Sequence, residues 1–257
     1  MQNELKIVKN ESNLNNLRVQ KPGKAYFKFI LRISKRQKFF LIAYFFVGLV
    51  MSCLLPLFYQ ISFNGFVKDR EQFLVISRLI FLIMSILTSI TLIGGFFQKI
   101  FFENRNTVVF KRVALTQISK KKFLFISAAI MFSYSLVVYI LSTITFLIGS
   151  SIFIDNGFAR VIGSWFFLRD FLIYLASCIS FVAFLFIVFS LTYSVTIAKL
   201  MSIPYILFNT VIAVLVLANL DVKPDLLNLI MLIYLLILVI LSVLFWLLAF
   251  KKFRFHF

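Results

Sequence analysis

The sequence predicts an all-α, polytopic membrane protein with six transmembrane helices, and three observations predict it. First, of 257 residues 62% are hydrophobic and only 14% charged, with a mean hydropathy of +1.02. Soluble domains run near about 45–50% apolar and about 25% charged, and a soluble monomer of this composition would expose apolar patches that such proteins avoid. Second, the apolar residues form long continuous runs rather than alternating ones. In lipid a single segment must satisfy its own backbone hydrogen bonds, so such runs select helix over strand. Third, the excess cations fall on one side of the predicted bundle, as shown below.

Residues 1–20 show little apolar periodicity and read as a mobile cytoplasmic tail. Residues 21–38 read as an amphipathic helix lying in the membrane interface. Lys24, Lys28, Arg32, Lys35 and Arg36 share one face, and Tyr26, Phe27, Phe29, Ile30 and Ile33 another. Pro22 suits the helix start. These first residues are polar and basic, and the apolar run that follows is too long for the core of a signal peptide.

The transmembrane domain is predicted over 39–250, with spans at 39–59, 79–97, 123–149, 171–195, 200–218 and 226–250. Each is about the 20 residues needed to cross a hydrocarbon core of roughly 30 Å. Pro56 and Pro204 fall near span ends, where proline is tolerated. Spans four and five are separated only by a tight cytoplasmic turn at 196–199, which carries Lys199. Residues 251–257 form a basic cytoplasmic tail.

With the N-terminus placed inside, twenty-one of the 27 Lys and Arg residues lie on the cytoplasmic side and six outside, whereas six of the nine carboxylates lie outside. The formal charge of +18 is therefore confined to the inner face. That is the positive-inside pattern, and it puts both termini in the cytoplasm. It accounts for the charge without nucleic acid as a partner and makes anionic membrane lipids the natural one.

The cytoplasmic segment 98–122 is the most informative stretch. It opens with Glu103 and Arg105. A short helical pattern follows, with Val109, Val113 and Phe110 on one side and Lys111 and Arg112 on the other. A turn at 116–119 precedes Lys120, Lys121 and Lys122 at the inner interface.

This segment resembles the coupling segment of the type-2 permeases of ATP-binding-cassette (ABC) exporters. Glu103, Arg105, Thr107, Leu115, Ile118, Ser119 and the three lysines stand at matching places, with Asn106 in the glycine place and Gln117 in the proline place. The order of elements agrees along 22–257. One departure is the short outer connection between spans five and six; the longest outer loop, 150–170, joins three and four. The resemblance implies a membrane subunit that pairs with a second permease copy or a related permease. Two separate ATPase subunits would seat Glu103, Arg105, Thr107, Lys111, Arg112 and Leu115 of the coupling helix. It implies export of a hydrophobic or amphipathic peptide, antibiotic or lipid across a bacterial cell membrane.

The remaining chemistry fits a non-enzyme. The sequence contains no phosphate-binding glycine loop, so ATP and Mg would belong to a partner ATPase. No cofactor or metal site is predicted: the only histidine is His256, and Cys53 and Cys178 are far apart in apolar runs. Span interiors lack carboxylates, unlike most ion-coupled carriers. Arg169 with Asp170 reads as a helix-end flank, Trp165 and Trp246 as interfacial anchors. The 35 phenylalanines read mainly as lipid-facing filler. Asn209, a polar amide inside span five, reads as a pathway residue or an interhelical contact. The competing reading is a non-transporting membrane module: a sensor, assembly factor or bacteriocin-immunity protein.

Overall fold

The computed structural model describes residues 22–35, 70–103, 119–153, 165–192, 194–218 and 224–253, together with the helical positions Ile42, Phe46 and Val50. The described residues are all-helical, without strands. Helix α1 is Pro22–Lys35, α2 Arg70–Phe97, α3 Lys120–Phe153, α4 Trp165–Leu191, α5 Val195–Ala218 and α6 Pro224–Lys252. A π-helical stretch, Gln98–Glu103, prolongs α2. Among the described residues, four segments are long and apolar enough to cross a membrane: Ser77–Phe102, Lys120–Ile152, Phe167–Leu191 and Leu226–Lys252. The predicted first span falls almost wholly outside the described residues. Within the predicted fifth span, α5 supplies a helix that contains Pro204.

Ring contacts give the chain directions. Phe81 stacks on Phe146 and Phe96 on Tyr134, while Phe101 meets Phe123 edge-on, so α2 and α3 are antiparallel. Arg78 pairs with Asp170, and Phe97 touches Phe186 and Phe189, so α2 and α4 run the same way. Helix α4 is central. It packs on α2, α3, α5 and, most extensively, α6. Its composition suits that place, because Ala176, Ser177, Cys178, Ser180 and Ala183 are small and buried and let neighbours approach.

Lipid removes the hydrophobic drive between helices, leaving close packing and polar contacts to hold them. Both are present. Phe97, Phe101, Phe123, Phe186, Phe189 and Phe253 are buried at one end of the bundle and meet mostly edge-to-face. Such pairs contribute about 0.5–1.5 kcal/mol each beyond their area. The expectation of lipid-facing phenylalanines is corrected for these rings, which form an interior cluster.

Three boundaries also differ from expectation. Thr192 and Ser194 lie between α4 and α5, and Thr196 through Lys199 already belong to α5. Thr192 donates its hydroxyl to the Ser194 carbonyl at 3.0 Å, and the Ser194 carbonyl also accepts from the Ala198 N–H at 3.0 Å. Hydroxyl side chains that bond nearby backbone compete with helix, whereas Thr196 through Lys199 contain no breaker. Pro204 consequently stands inside a helix, where it removes one backbone donor. At the other end of the bundle, α2 and α4 begin well before the apolar runs that predicted them. Charged residues are thereby carried into both helices.

Candidate functional site

Three features concentrate the polar chemistry: a basic end, a buried charge cluster at the opposite end, and a cavity between α2, α4 and α5.

At the basic end α1 docks on the foot of α3. Tyr26 and Ile30, one helical turn apart, are fully buried. The Tyr26 ring stacks on Phe123 with centroids 4.7 Å apart, and its hydroxyl lies 2.6 Å from Ser127 Oγ. Ser127 donates its own proton to the Phe123 carbonyl at 2.9 Å, so Tyr26 donates to Ser127. Burial pushes the Tyr26 phenol well above its ordinary range, and the bond to Ser127 offsets only part of that. Lys24, Lys28 and Arg32 are exposed on the opposite face, as the periodicity requires. Lys35 closes α1, and Arg36 lies outside the described residues.

Helix α3 starts beside this docking point. Ser119 caps it, accepting from the Lys122 N–H at 3.4 Å. Lys120, Lys121 and Lys122 are exposed in its first turn, where cations oppose the helix dipole. Their place therefore reflects the surface they face and not the needs of the helix. Lys251 and Lys252, at the favourable C-terminal end of α6, are exposed too, beside Phe253, which packs on Phe123. Among the residues predicted for coupling, Glu103 ends the π-helical stretch at this same end. Arg105, Thr107, Lys111, Arg112 and Leu115 lie outside the described residues. Lys199 is exposed on α5, in helix and not in a turn.

Asn209 is buried between α5 and α6. It accepts from the Tyr234 hydroxyl at 2.6 Å through Oδ1 and donates to the Tyr205 carbonyl at 2.7 Å through Nδ2. Tyr205 in turn donates to the Ser177 carbonyl of α4 at 2.8 Å. Separate bonds from Tyr234 to Asn209 and from Tyr205 to Ser177 thus tie α6 to α5 and α5 to α4. A second tyrosine, Tyr174, donates to the Ser135 carbonyl of α3 and accepts from Ser89 of α2, both at 2.8 Å. Asn209 also borders a small apolar cavity with Leu82, Ile86, Ile212 and Met231. Of its two expected roles, the interhelical contact is the one with defined partners.

Sequence reasoning missed the cluster at the far end. Arg78 of α2 and Arg169 and Asp170 of α4 are 8%, 2% and 3% exposed. Arg78 Nε lies 2.8 Å from Asp170 Oδ2, and Arg169 Nη2 2.7 Å from Asp170 Oδ1. Arg169 also donates to Asn228 Oδ1 of α6. The group ties α2, α4 and α6 together, so Arg169 and Asp170, which do lie near the start of α4 as a helix-end flank would, are also a buried interhelical tie. The available signal was the apolar residues on the N-terminal side of each charge. Phe73, Leu74, Val75 and Ile76 precede Arg78, and Trp165, Phe166, Phe167 and Leu168 precede Arg169.

The third feature is a cavity of about 290 Å³ near the basic end. Its walls include Ile90, Gly94, Phe97, Phe181, Leu185 and Ile206, and its polar groups are Thr91, Gln98, Lys199 and Ser202. Among the described residues, no cluster of His, Cys, Asp and Glu could hold a metal ion. Compared with known proteins, the chain matches no family model, no curated protein and no solved structure.

Proposed function

We propose that this membrane protein is the permease subunit of an ABC-type exporter in a bacterial cell membrane. It spans the bilayer six times with both termini cytoplasmic. It pairs with a second permease, identical or related, and two separate ATPase subunits bind the basic end. Segment 98–122 seats in the ATPase, with Arg105, Lys111 and Arg112 against acidic groups and Thr107 and Leu115 fixing the short helix. ATP-driven closure of the ATPases is passed to the spans as rigid-body motion and switches access from inside to outside. The cargo is a hydrophobic or amphipathic peptide, antibiotic or lipid.

The observation that carries this reading is the convergence at the basic end. The π-helical exit of α2 and the capped start of α3 are the two ends of the segment that resembles a coupling loop. Helix α1 is pinned to the second of them through Tyr26 and Ser127. A push on that segment would reach α2 and α3 directly and α4 through the phenylalanine cluster.

The test is purification of the chain from its native membrane, followed by ATP hydrolysis and export assays. A co-purifying ATPase is expected. Reversing the charge of Arg105, Lys111 and Arg112 should release it and abolish export while the chain stays in the membrane. Export intact after charge reversal, with no ATPase recovered, would contradict the proposal and favour a membrane module that acts by binding alone.

A further inference from the structure

We propose that the cavity between α2, α4 and α5 binds a single-chain amphiphile with an anionic head, its carboxylate or phosphate on Lys199 and Gln98 and its chain against Phe97, Phe181 and Leu185. Three observations lead there.

The first is size and lining. At about 290 Å³ the cavity lies at the lower end of small-ligand sites, which begin near roughly 300 Å³. That suits one acyl chain and not a two-chain lipid. Most of its wall is apolar, and its buried floor includes Ile90, Phe97, Phe181, Leu185 and Ala198.

The second is the direction of its polar groups. Thr91 donates its hydroxyl proton to the Leu87 and Thr88 carbonyls, and Ser202 donates to the Ala198 carbonyl. Both hydroxyls are committed to their own helices and can only accept from a ligand. The donors left for an anion are the Lys199 ammonium, exposed at the rim, and the Gln98 amide. Among the described residues, no carboxylate lines the cavity. The site therefore has one cationic edge and an apolar body, the complement of an anionic amphiphile.

The third is the pair Gly94 and Gly95 in the α2 wall. Glycine is a poor helix former, so two in succession inside a membrane helix call for a reason. Among the described residues, close packing does not supply one at Gly94: a β-carbon there would meet only the edge of the Phe181 ring at 3.9 Å, an ordinary contact. What bare backbone at this point does is leave the cavity open.

The experiment uses the full chain in nanodiscs of phosphatidylcholine, a photoactivatable medium-chain fatty acid as probe, and mass spectrometry to locate the adduct. Adducts are expected on peptides containing Phe97, Phe181 or Leu185. The unlabelled fatty acid should compete, and the alcohol of the same chain length should compete about tenfold less well, because it lacks the charge-assisted bond. Lys199→Gln should weaken labelling by a similar factor and Lys199→Arg should retain it, while Gly94→Leu should abolish it. Lys251→Gln, an exposed lysine at the same end but outside the cavity, should change nothing. A lysophosphatidylglycerol competitor separates the two sources of anion: if it displaces the probe better than the fatty acid, the natural occupant is a lysolipid. The inference fails if the alcohol competes equally, if Lys199→Gln labels like the unmodified chain, or if Lys251→Gln weakens labelling as much. Binding is read without ATP or a partner subunit, so its failure and that of the export proposal are separate results.

Discussion

Asp170 sits between two guanidiniums in a place where water is scarce. Removing one partner of a buried ion pair leaves an uncompensated charge and costs about 3–5 kcal/mol. Asp170→Asn is therefore expected to destabilise the detergent-solubilised protein by about that much, seen as a large drop in its unfolding temperature. Arg78→Met leaves Asp170 still paired with Arg169 and should cost much less. If the two variants lose the same stability, the carboxylate is not the hub of the cluster. At Asn209 the expected loss is smaller, since interhelical hydrogen bonds in membranes average about 0.6 kcal/mol. Asn209→Leu leaves the Tyr234 hydroxyl buried without its acceptor, so adding Tyr234→Phe should recover part of the loss. A double-mutant cycle with no coupling between the two sites would show that the bond contributes nothing.

At the scale of elements, α1 and the α4–α5 turn show what the sequence made legible and what it did not. The amphipathic spacing of α1 is written in Lys24, Lys28 and Arg32 opposite Tyr26 and Ile30, so both the helix and its exposed face could be read directly. Its docking partner could not. Tyr26 sits 101 residues from Ser127, and the code for that contact is a complementary shape on α3 and not a local pattern. Hydropathy located the apolar middle of α2 and α4 but stopped at Arg78 and Asp170, because a window average penalises charge and knows nothing of a partner on another helix. The same averaging drew the turn at Lys199, the first charge, when α4 and α5 part at Thr192 and Ser194, where the Thr192 hydroxyl bonds the Ser194 carbonyl. Tyr26→Ala should free α1 and leave the spans folded. Hydrogen exchange is then expected to rise over 22–35 and stay slow in α4, whereas slow exchange over 22–35 would mean that α1 is held by something other than this contact.

For the whole molecule, the two groups of charged side chains among the described residues lie at opposite ends. One carries exposed lysines from α1, α3 and α6 around a buried phenylalanine cluster. The other carries a buried charge cluster that ties α2, α4 and α6. Such a bundle is tied by charge at one end and presents exposed lysines at the other. The sequence made this polarity legible through the placement of its cations, and the helix directions agree with it: the ends of α3 and α6 that carry lysines meet at Phe123 and Phe253. On the proposed reading, the contacts with an ATPase and with a cargo depend on surfaces that a hydropathy pattern does not encode.

The most direct test of this account is side-specific labelling of single cysteines placed at Lys111, Lys251 and Asp155, with a membrane-impermeant maleimide applied to intact cells and to inverted vesicles. The account predicts that positions 111 and 251 react only in inverted vesicles and position 155 only in intact cells. Labelling of 111 and 251 from opposite compartments would contradict it.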